Sequence, residues 1–194
     1  MEKQNYEECI QSCINGDEEA CHTLYTEHVD DIYRFVMSKL QDKVRSEDIC
    51  ADVFFKVFEK LTDYDPQKWS FRTRLYRIAY TTLIDHTRKK SPIHCYDRLL
   101  DTASHHDQSL REQTNARVQR KEVQGFLATL SLDQREIFMM RLWDGLQYDE
   151  ISYITWKSMD ACKQGFHRTL KKLQEQCGHL TAFAILCSLI QTNI

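Results

Sequence analysis

Arg74, Arg77, Thr81 and Arg88 recur three, four and seven residues apart in FRTRLYRIAYTTLIDHTRKK, residues 71–90. Wound at 3.6 residues per turn, they form one row along a helix. Leu75, Ile78, Ala79, Thr82 and His86 fall together on the other side as a packing stripe. Six bases (Arg72, Arg74, Arg77, Arg88, Lys89, Lys90) stand here against one acid, Asp85, in a chain whose formal net charge is -3. Such local contrast points to a polyanion. Tyr76 and Tyr80 border the row, where a ring can stack on an unpaired base whatever its identity. The same pattern also suits the solvated face of a bundle helix. No nucleophile motif, phosphate-cradling glycine loop or pair of carboxylates in a plausible cleft accompanies it, so no catalysis and no cofactor are expected.

The elements that must carry this helix are expected to be helices too. Of 194 residues, 42% are hydrophobic and 28% charged, a globular composition, while five Gly and two Pro are too few for a turn-rich β fold. The length allows one ordinary domain or two small ones, and two are expected. The opening MEKQNYEECIQ has no basic, apolar leader, which implies a cytoplasmic protein. Eight cysteines are scattered through helical patterns, Cys50 and Cys162 among them, and reduced, mostly buried thiols are expected. Cys9, Cys13, Cys21 and His22 have donor types that suit zinc, but their spacing matches no common zinc module and no metal is expected.

In chain order, residues 1–15 are acidic and weakly patterned. Gly16-Asp17 reads as a turn and N-cap, followed by a helix with Leu24, Tyr25, Val29, Ile32, Val36 and Leu40 at helical spacing. A second helix begins at Ser46. Ile49, Val53, Val57 and Leu61 line its buried edge, widened by Phe54 and Phe58, and Asp48, Asp52, Lys56 and Glu59 face away with Phe55 at the border. Phe55 is either a protein-docking site or a core residue. The segment TDYDPQKWS is a loop carrying Tyr64 and Trp69 to the start of the basic helix, where they can hold a base or plug the core. The first domain is expected to span residues 1–90, a flexible linker 91–109, and a second domain 110–178.

In that second domain Val118, Val123, Phe126, Leu127 and Leu130 form a stripe. Ser131 caps a helix with apolar Ile137, Phe138, Met139 and Leu142, which Gly145 closes. A short helix with Ile151 and Ile154 inward follows. The last helix presents Met159, Cys162, Phe166, Leu170 and Leu173 inward and Asp160, Gln164, His167, Arg168 and Lys171 outward. Two helices joined by so short a turn, the second with a polar and basic face, make a helix-turn-helix. The apolar extension, residues 179–194, is too short to span a membrane. A short helix docked on the second domain, with Phe183, Leu186 and Ile190 on one face, is expected there, and a partner-binding tail is the alternative.

Five blocks in order then resemble the extracytoplasmic-function group of bacterial sigma factors, over roughly residues 16 to 175. GDEEACHTLYTEHVDDIYRFV, SEDICADVFFKVFEKL and FRTRLYRIAYTTLIDHTRKK are similar to helices of the promoter-melting domain. LSLDQREIFMMRLWDGLQYDEISYI and CKQGFHRTLKKL are similar to the domain that reads the minus-thirty-five element. The resemblance implies partners, core RNA polymerase and promoter DNA, and it allows an anti-sigma factor. It implies minus-ten contacts from Tyr64, Trp69, Arg74, Arg77, Tyr80, Thr81 and Arg88, and minus-thirty-five contacts from Lys163, Gln164, His167, Arg168 and Lys171. Asp48, Asp52, Phe55 and Lys56 would face the polymerase clamp.

Four positions depart from the family's pattern. Arg74 stands where Trp is usual and Thr81 where Asn is usual, so the minus-ten helix is expected to meet DNA differently. Trp156 replaces the glycine of the helix-turn-helix, which implies another turn shape. Gly165 takes a position that is often basic, at a helix-interior cost of about 1 kcal/mol relative to Ala. The altered turn at Trp156 and the overall acidity of the chain leave a second reading open, a sigma-like adaptor that binds polymerase or another protein without opening promoters.

Overall fold

The computed structural model describes residues 3–40, 42–88, 125–127 and 129–191, and among them regular structure is helical, with no strand. The chain divides into two compact units, residues 1–95 and 96–194. The expected linker 91–109, the domain start at Leu110 and the residues Val118 and Val123 lie outside the described residues. So do the side chains of Arg88, Phe183, Leu186 and Ile190.

In the first unit α1 spans Lys3–Ile14, α2 Glu18–Leu40, α3 Lys43–Glu59 and α4 Phe71–Arg88, with a 3-10 turn at Leu61–Asp63 between the last two. The weakly patterned N-terminal stretch is therefore a helix. Its apolar side is narrow but sufficient, since Ile10 and Cys13 are buried where α1 packs on α2. Gly16 turns the chain at φ +91, and the Asp17 carboxylate accepts from the backbone N–H of Glu19 and Ala20 at 3.0 and 3.3 Å. Glu18 and Glu19 then occupy the first turn of α2, where the helix dipole favours acids. The next helix starts before Ser46 because Asp42 is its N-cap and accepts from the N–H of Arg45 at 3.1 Å.

The core joins Leu24, Ile32 and Val36 of α2, Ile49, Val53 and Val57 of α3, and Leu75 and Ala79 of α4. Tyr76 and Tyr80 join it, against the expectation of a place on the border of the basic row. Tyr76 meets Phe35 edge-on at 5.1 Å between ring centres. Burying a large side chain contributes about 1.5–3 kcal/mol, so the bundle keeps these rings. His86 makes the opposite move, from the expected packing stripe to the surface beside Asp52.

Cys13 and Cys21, expected as reduced thiols, are joined in a disulfide that staples α1 to α2. No group of three or more His, Cys, Asp or Glu among the described residues is placed to hold a metal ion. No helix among them is long and apolar enough to cross a membrane.

The second unit holds α5 (Leu132–Leu142), α6 (Tyr148–Thr155) and α7 (Met159–Gln191). Ser131 opens α5 with a reciprocal capping box to Gln134, as its sequence led us to expect. Phe138 of α5 stacks on Phe166 of α7 at 5.7 Å, with Phe126 edge-on to Phe138 at the same distance. Gly145, at φ +65, reverses the chain toward α6. The short, separate C-terminal helix does not occur, because α7 runs through 33 residues to Gln191 without a break. No proline interrupts that stretch, and Gly178 alone costs only about 1 kcal/mol.

One polar pair joins a half-buried side chain to a buried one in the first unit. His28 shares a hydrogen bond with the Tyr6 hydroxyl and sits tilted on Phe71, 5.5 Å between ring centres. Burial lowers the pKa of His28 below its usual 6.5, outweighing the opposing pull of Glu27 and Asp31. The unfolded chain therefore takes up a proton near pH 6.5 that the native histidine refuses. The stability tied to neutral His28 is complete above that pH and is lost as pH falls through the lowered native value. Thermal melts between pH 7.5 and 5.0 are expected to show a fall in melting temperature that His28→Leu flattens. An unchanged slope in the variant would mean other groups carry the acid sensitivity.

Candidate nucleic-acid interface

The loop between α3 and α4 is held by one side chain of the basic row. Arg74 turns back along its own helix and donates to the carbonyls of Asp63 at 2.8 Å and Lys60 at 2.6 Å, with its guanidinium 5.9 Å from the centre of the Tyr64 ring. Lys60 is the C-cap of α3, and its carbonyl also accepts the N–H of Asp63 at 3.2 Å, so Arg74 adds a second, charged donor at the end of that helix. The clamp occupies one N–H of each terminal nitrogen, so a phosphate at Arg74 would share the guanidinium with these carbonyls. The Tyr64 ring lies edge-on to Phe71 at 6.0 Å. Burial, then the Glu7 carboxylate, raises the pKa of its hydroxyl. Ser70 begins α4 through its hydroxyl, which accepts from the N–H of Thr73 at 3.1 Å.

Of the other residues assigned to the minus-ten side, Trp69 and Arg77 are half-buried at the surface of this region. Thr81 is also half-buried, and its hydroxyl donates to the carbonyl of Ile78 at 2.9 Å. Tyr80 is only 9% exposed and faces inward, so a base cannot reach its ring while the bundle is intact. The surface of α4 thus keeps Arg77 and Thr81, while Arg74 is engaged with the carbonyls of Lys60 and Asp63.

Next to the loop an open groove of about 500 Å³ runs between α1 and residues Tyr64 and Pro66. Glu7 and Glu8 line its α1 side, the wrong charge for DNA phosphate.

The outward face of α3 carries the residues assigned to a protein partner. Phe55 is 70% exposed, which removes the core alternative, and Asp48 and Asp52 are exposed beside it. Two side chains on this helix also bind α4. The Lys56 ammonium donates to the Thr82 hydroxyl at 3.1 Å, and Asp52 pairs with the His86 ring nitrogen at 3.1 Å. Both ties escaped sequence reasoning, although a stripe of Thr82 and His86 opposite Lys56 and Asp52 is the kind of pattern that signals polar matching between helices.

In the second unit Gln164, His167, Arg168 and Lys171 lie exposed along one side of α7, with Lys163 half-buried. Arg168 donates to Gln164 at 3.5 Å, and Lys171 is 3.9 Å from Glu175, both one turn apart. Met159, expected inward, is 43% exposed because it is the first residue of the helix, beyond the cover of α6. The turn before it keeps the left-handed geometry that glycine would favour, with Trp156 itself at φ 56 and ψ 22. No other turn shape is needed. The Ser152 hydroxyl donates to the carbonyl of Lys157 at 2.7 Å, and Lys157 pairs with Asp133 at 3.0 Å, so neighbours fix the turn around the strained residue. Gly165 faces α5, where an added Cβ would lie 3.1 Å from Cδ1 of Ile137. The position serves close helix packing, and its lost basic side chain would have pointed into the unit.

A cationic helix beside an aromatic loop in one unit, with a helix-turn-helix in the other, defines a DNA-binding protein. Comparison with known proteins gives the family. Residues 24–93 match Sigma-70 region 2, and residues 120–173 match Sigma-70, region 4. The ECF RNA polymerase sigma factor SigX of Bacillus subtilis (strain 168) is 28% identical over 165 residues, 81% of this chain and 84% of SigX. SigM of the same organism is 28% identical over 133 residues, 68% of this chain and 78% of SigM. Among solved structures, CnrH in complex with the cytosolic domain of CnrY aligns at a TM-score of 0.59 and 19% identity, covering 96% of this chain and 97% of that one. The sigma factor RpoE in complex with the anti-sigma factor NepR from Bartonella quintana gives 0.54 and 18%, covering 79% and 94%. The two structures share the fold.

This chain belongs to the sigma-70 family, in its extracytoplasmic-function group. It is a sigma factor for transcription initiation, a DNA-binding factor and not an enzyme.

The left-handed turn yields a stability test. Holding a non-glycine residue there costs about 1–2 kcal/mol. Trp156→Gly is expected to raise the melting temperature of the second unit, whereas Trp156→Ala, which keeps the penalty and removes the ring, is not. A Gly variant that melts lower than the wild type would show that the indole's contacts outweigh the strain.

Proposed function

We propose that the protein binds core RNA polymerase through the outward face of α3, and that the loop after α3 and the Arg77 side of α4 engage and open the minus-ten region of promoter DNA. The observation that carries this reading is the coupling of the two faces. Lys56 to Thr82 and Asp52 to His86 join α3 to α4, so a polymerase seated on Phe55 would hold the DNA-facing helix at a fixed distance. Arg77 would contact backbone phosphate, Thr81 would approach bases, and Tyr64 and Trp69 would support an unstacked base. On α7, Gln164 and Arg168 would meet base edges of the upstream element, while His167 and Lys171, with Lys163 behind them, would position the helix. The four-residue docking set is divided in this reading. Phe55 and Asp48 would contact polymerase directly, while Asp52 and Lys56 would orient the surface.

A protein antagonist is also proposed as a partner, since RpoE was solved with the anti-sigma factor NepR and CnrH with the cytosolic domain of CnrY. The adaptor reading drew on the replaced glycine at Trp156 and on the overall acidity of the chain. The kept left-handed turn speaks against the first of these, and the transcription test below separates the two readings.

Run-off transcription on genomic fragments with core polymerase tests the assignment. The wild type is expected to give discrete transcripts, and complex formation on DNA to weaken steeply with salt. Arg77→Glu should bind core normally and lose transcripts by at least about tenfold, with helicity unchanged. Phe55→Ala should lose core affinity while its stability stays within about 0.5 kcal/mol of wild type, as for an exposed position. Core binding without any promoter-dependent transcript would establish the adaptor instead.

A further inference from the structure

The turn between α1 and α2 brings two cysteines face to face. Asn15 N–H donates to the Gln11 carbonyl at 3.0 Å, Asp17 N–H to Ser12 at 3.0 Å and Cys21 N–H to Asp17 at 3.1 Å, so the backbone itself sets the approach. Cys13 and Cys21 lie 4.8 Å apart between Cα atoms and are joined. Their surroundings differ. Cys13 is buried, whereas Cys21 is half-buried and is the more solvent-exposed residue of the two. Cys50 and Cys162 are free and buried, and burial pushes the Cys50 thiol up to about 11, which keeps it protonated and unreactive.

The helix stapled by this bond reaches the DNA-facing loop. Tyr6 of α1 packs edge-on against Phe71, the first residue of α4, at 6.1 Å, and Phe71 carries the Tyr64 ring. Gln11, Ser12 and Asn15, which flank Cys13, line the groove that Tyr64 and Pro66 close. Anything that loosens the C-terminal turn of α1 acts on the wall of that groove.

We propose that Cys13 and Cys21 are a reversible dithiol–disulfide site that sets how firmly α1 holds the 62–70 loop. Its effect on transcription rests on the proposed promoter-opening role. Oxidation by a hydroperoxide proceeds in two steps. The Cys21 thiolate attacks the O–O bond, releasing an alcohol or water and leaving a sulfenic acid. The Cys13 thiol then attacks that sulfur, forming the S–S bond and releasing water. Two electrons pass from the two thiols to the peroxide. An external dithiol reverses the step by attacking the Cys21 sulfur. Cys13 leaves as a thiolate and takes a proton, and the second external thiol displaces Cys21 from the mixed disulfide, leaving the dithiol oxidised. The backbone hydrogen bonds that form the turn involve neither sulfur, so neither direction requires the bundle to unfold.

The full chain, treated with tert-butyl hydroperoxide or with dithiothreitol, tests the proposal by differential alkylation with peptide mapping and by amide hydrogen exchange. The peroxide-treated protein should yield a Cys13–Cys21 linked peptide that dithiothreitol removes. Residues 3–14 and 62–70 should exchange about tenfold faster in the reduced form, with α5 unchanged. A Cys13→Ser, Cys21→Ser variant should match the reduced form and ignore peroxide. If that variant does not fold, the comparison of the two forms of the wild-type chain still decides. Thiols that remain open to alkylation after peroxide, or a linked form whose 62–70 segment exchanges no more slowly, would overturn the proposal. Neither readout uses polymerase or DNA. Absence of transcripts from both redox forms would count against the promoter-opening reading alone.

Discussion

Where α3 ends, the chain passes through a 3-10 turn on its way to α4, and the guanidinium of Arg74 ties the two helices together across it. Donating to Lys60 and Asp63 from the first turn of α4, it fixes the exit of one helix to the entry of the next. A charge-assisted donor is stronger than a neutral one and reaches two acceptors with one rigid plane. The clamp lies over the short 3-10 turn, whose own N–H groups of Asp63 and Tyr64 donate to Lys60 and Leu61 at 3.2 and 3.0 Å, and beside the seat of Tyr64 on Phe71. The family's usual Trp at this position could offer packing but no such pair of donors. The chain therefore holds its loop by polar means and gives up one cation that would otherwise stand in the basic row.

The second unit meets a comparable constraint in another way. Its helix-turn-helix requires a left-handed residue, and the chain supplies Trp156, whose cost is borne by the ion pair and hydrogen bond around Lys157. Gly165 lets α7 approach α5 at Ile137, so the glycine that weakens the helix locally permits the stacking of Phe138 on Phe166. Local preference is overridden by packing in both places.

Much of this was legible in the residues. The helical class, the capping of α5 by Ser131, the buried edge of α3 and the polar face of α7 follow from periodicity and turn chemistry, which depend on near neighbours alone. Other features were hidden because they depend on partners distant in sequence. Tyr76 and Tyr80 lie on the border of the basic row by angle, and their burial, Tyr76 against Phe35 of α2, depends on helices distant in sequence. Arg74 looks like any other base until the carbonyls eleven and fourteen residues earlier are seen beneath it. His28 and Tyr6 come together through α1, whose pattern was too weak to announce a helix. The meeting of Cys13 with Cys21 depends on the tightness of the turn at Gly16, which spacing alone does not give.

Hydrogen exchange of the polymerase-bound protein, with and without promoter DNA, measures the central claim most directly. If the 62–70 loop and α4 engage the opened strand, amides across residues 62–81 slow when DNA is added, beyond the protection that polymerase gives α3. Slowing confined to α3, with residues 62–81 and the start of α7 exchanging as they do without DNA, would contradict it.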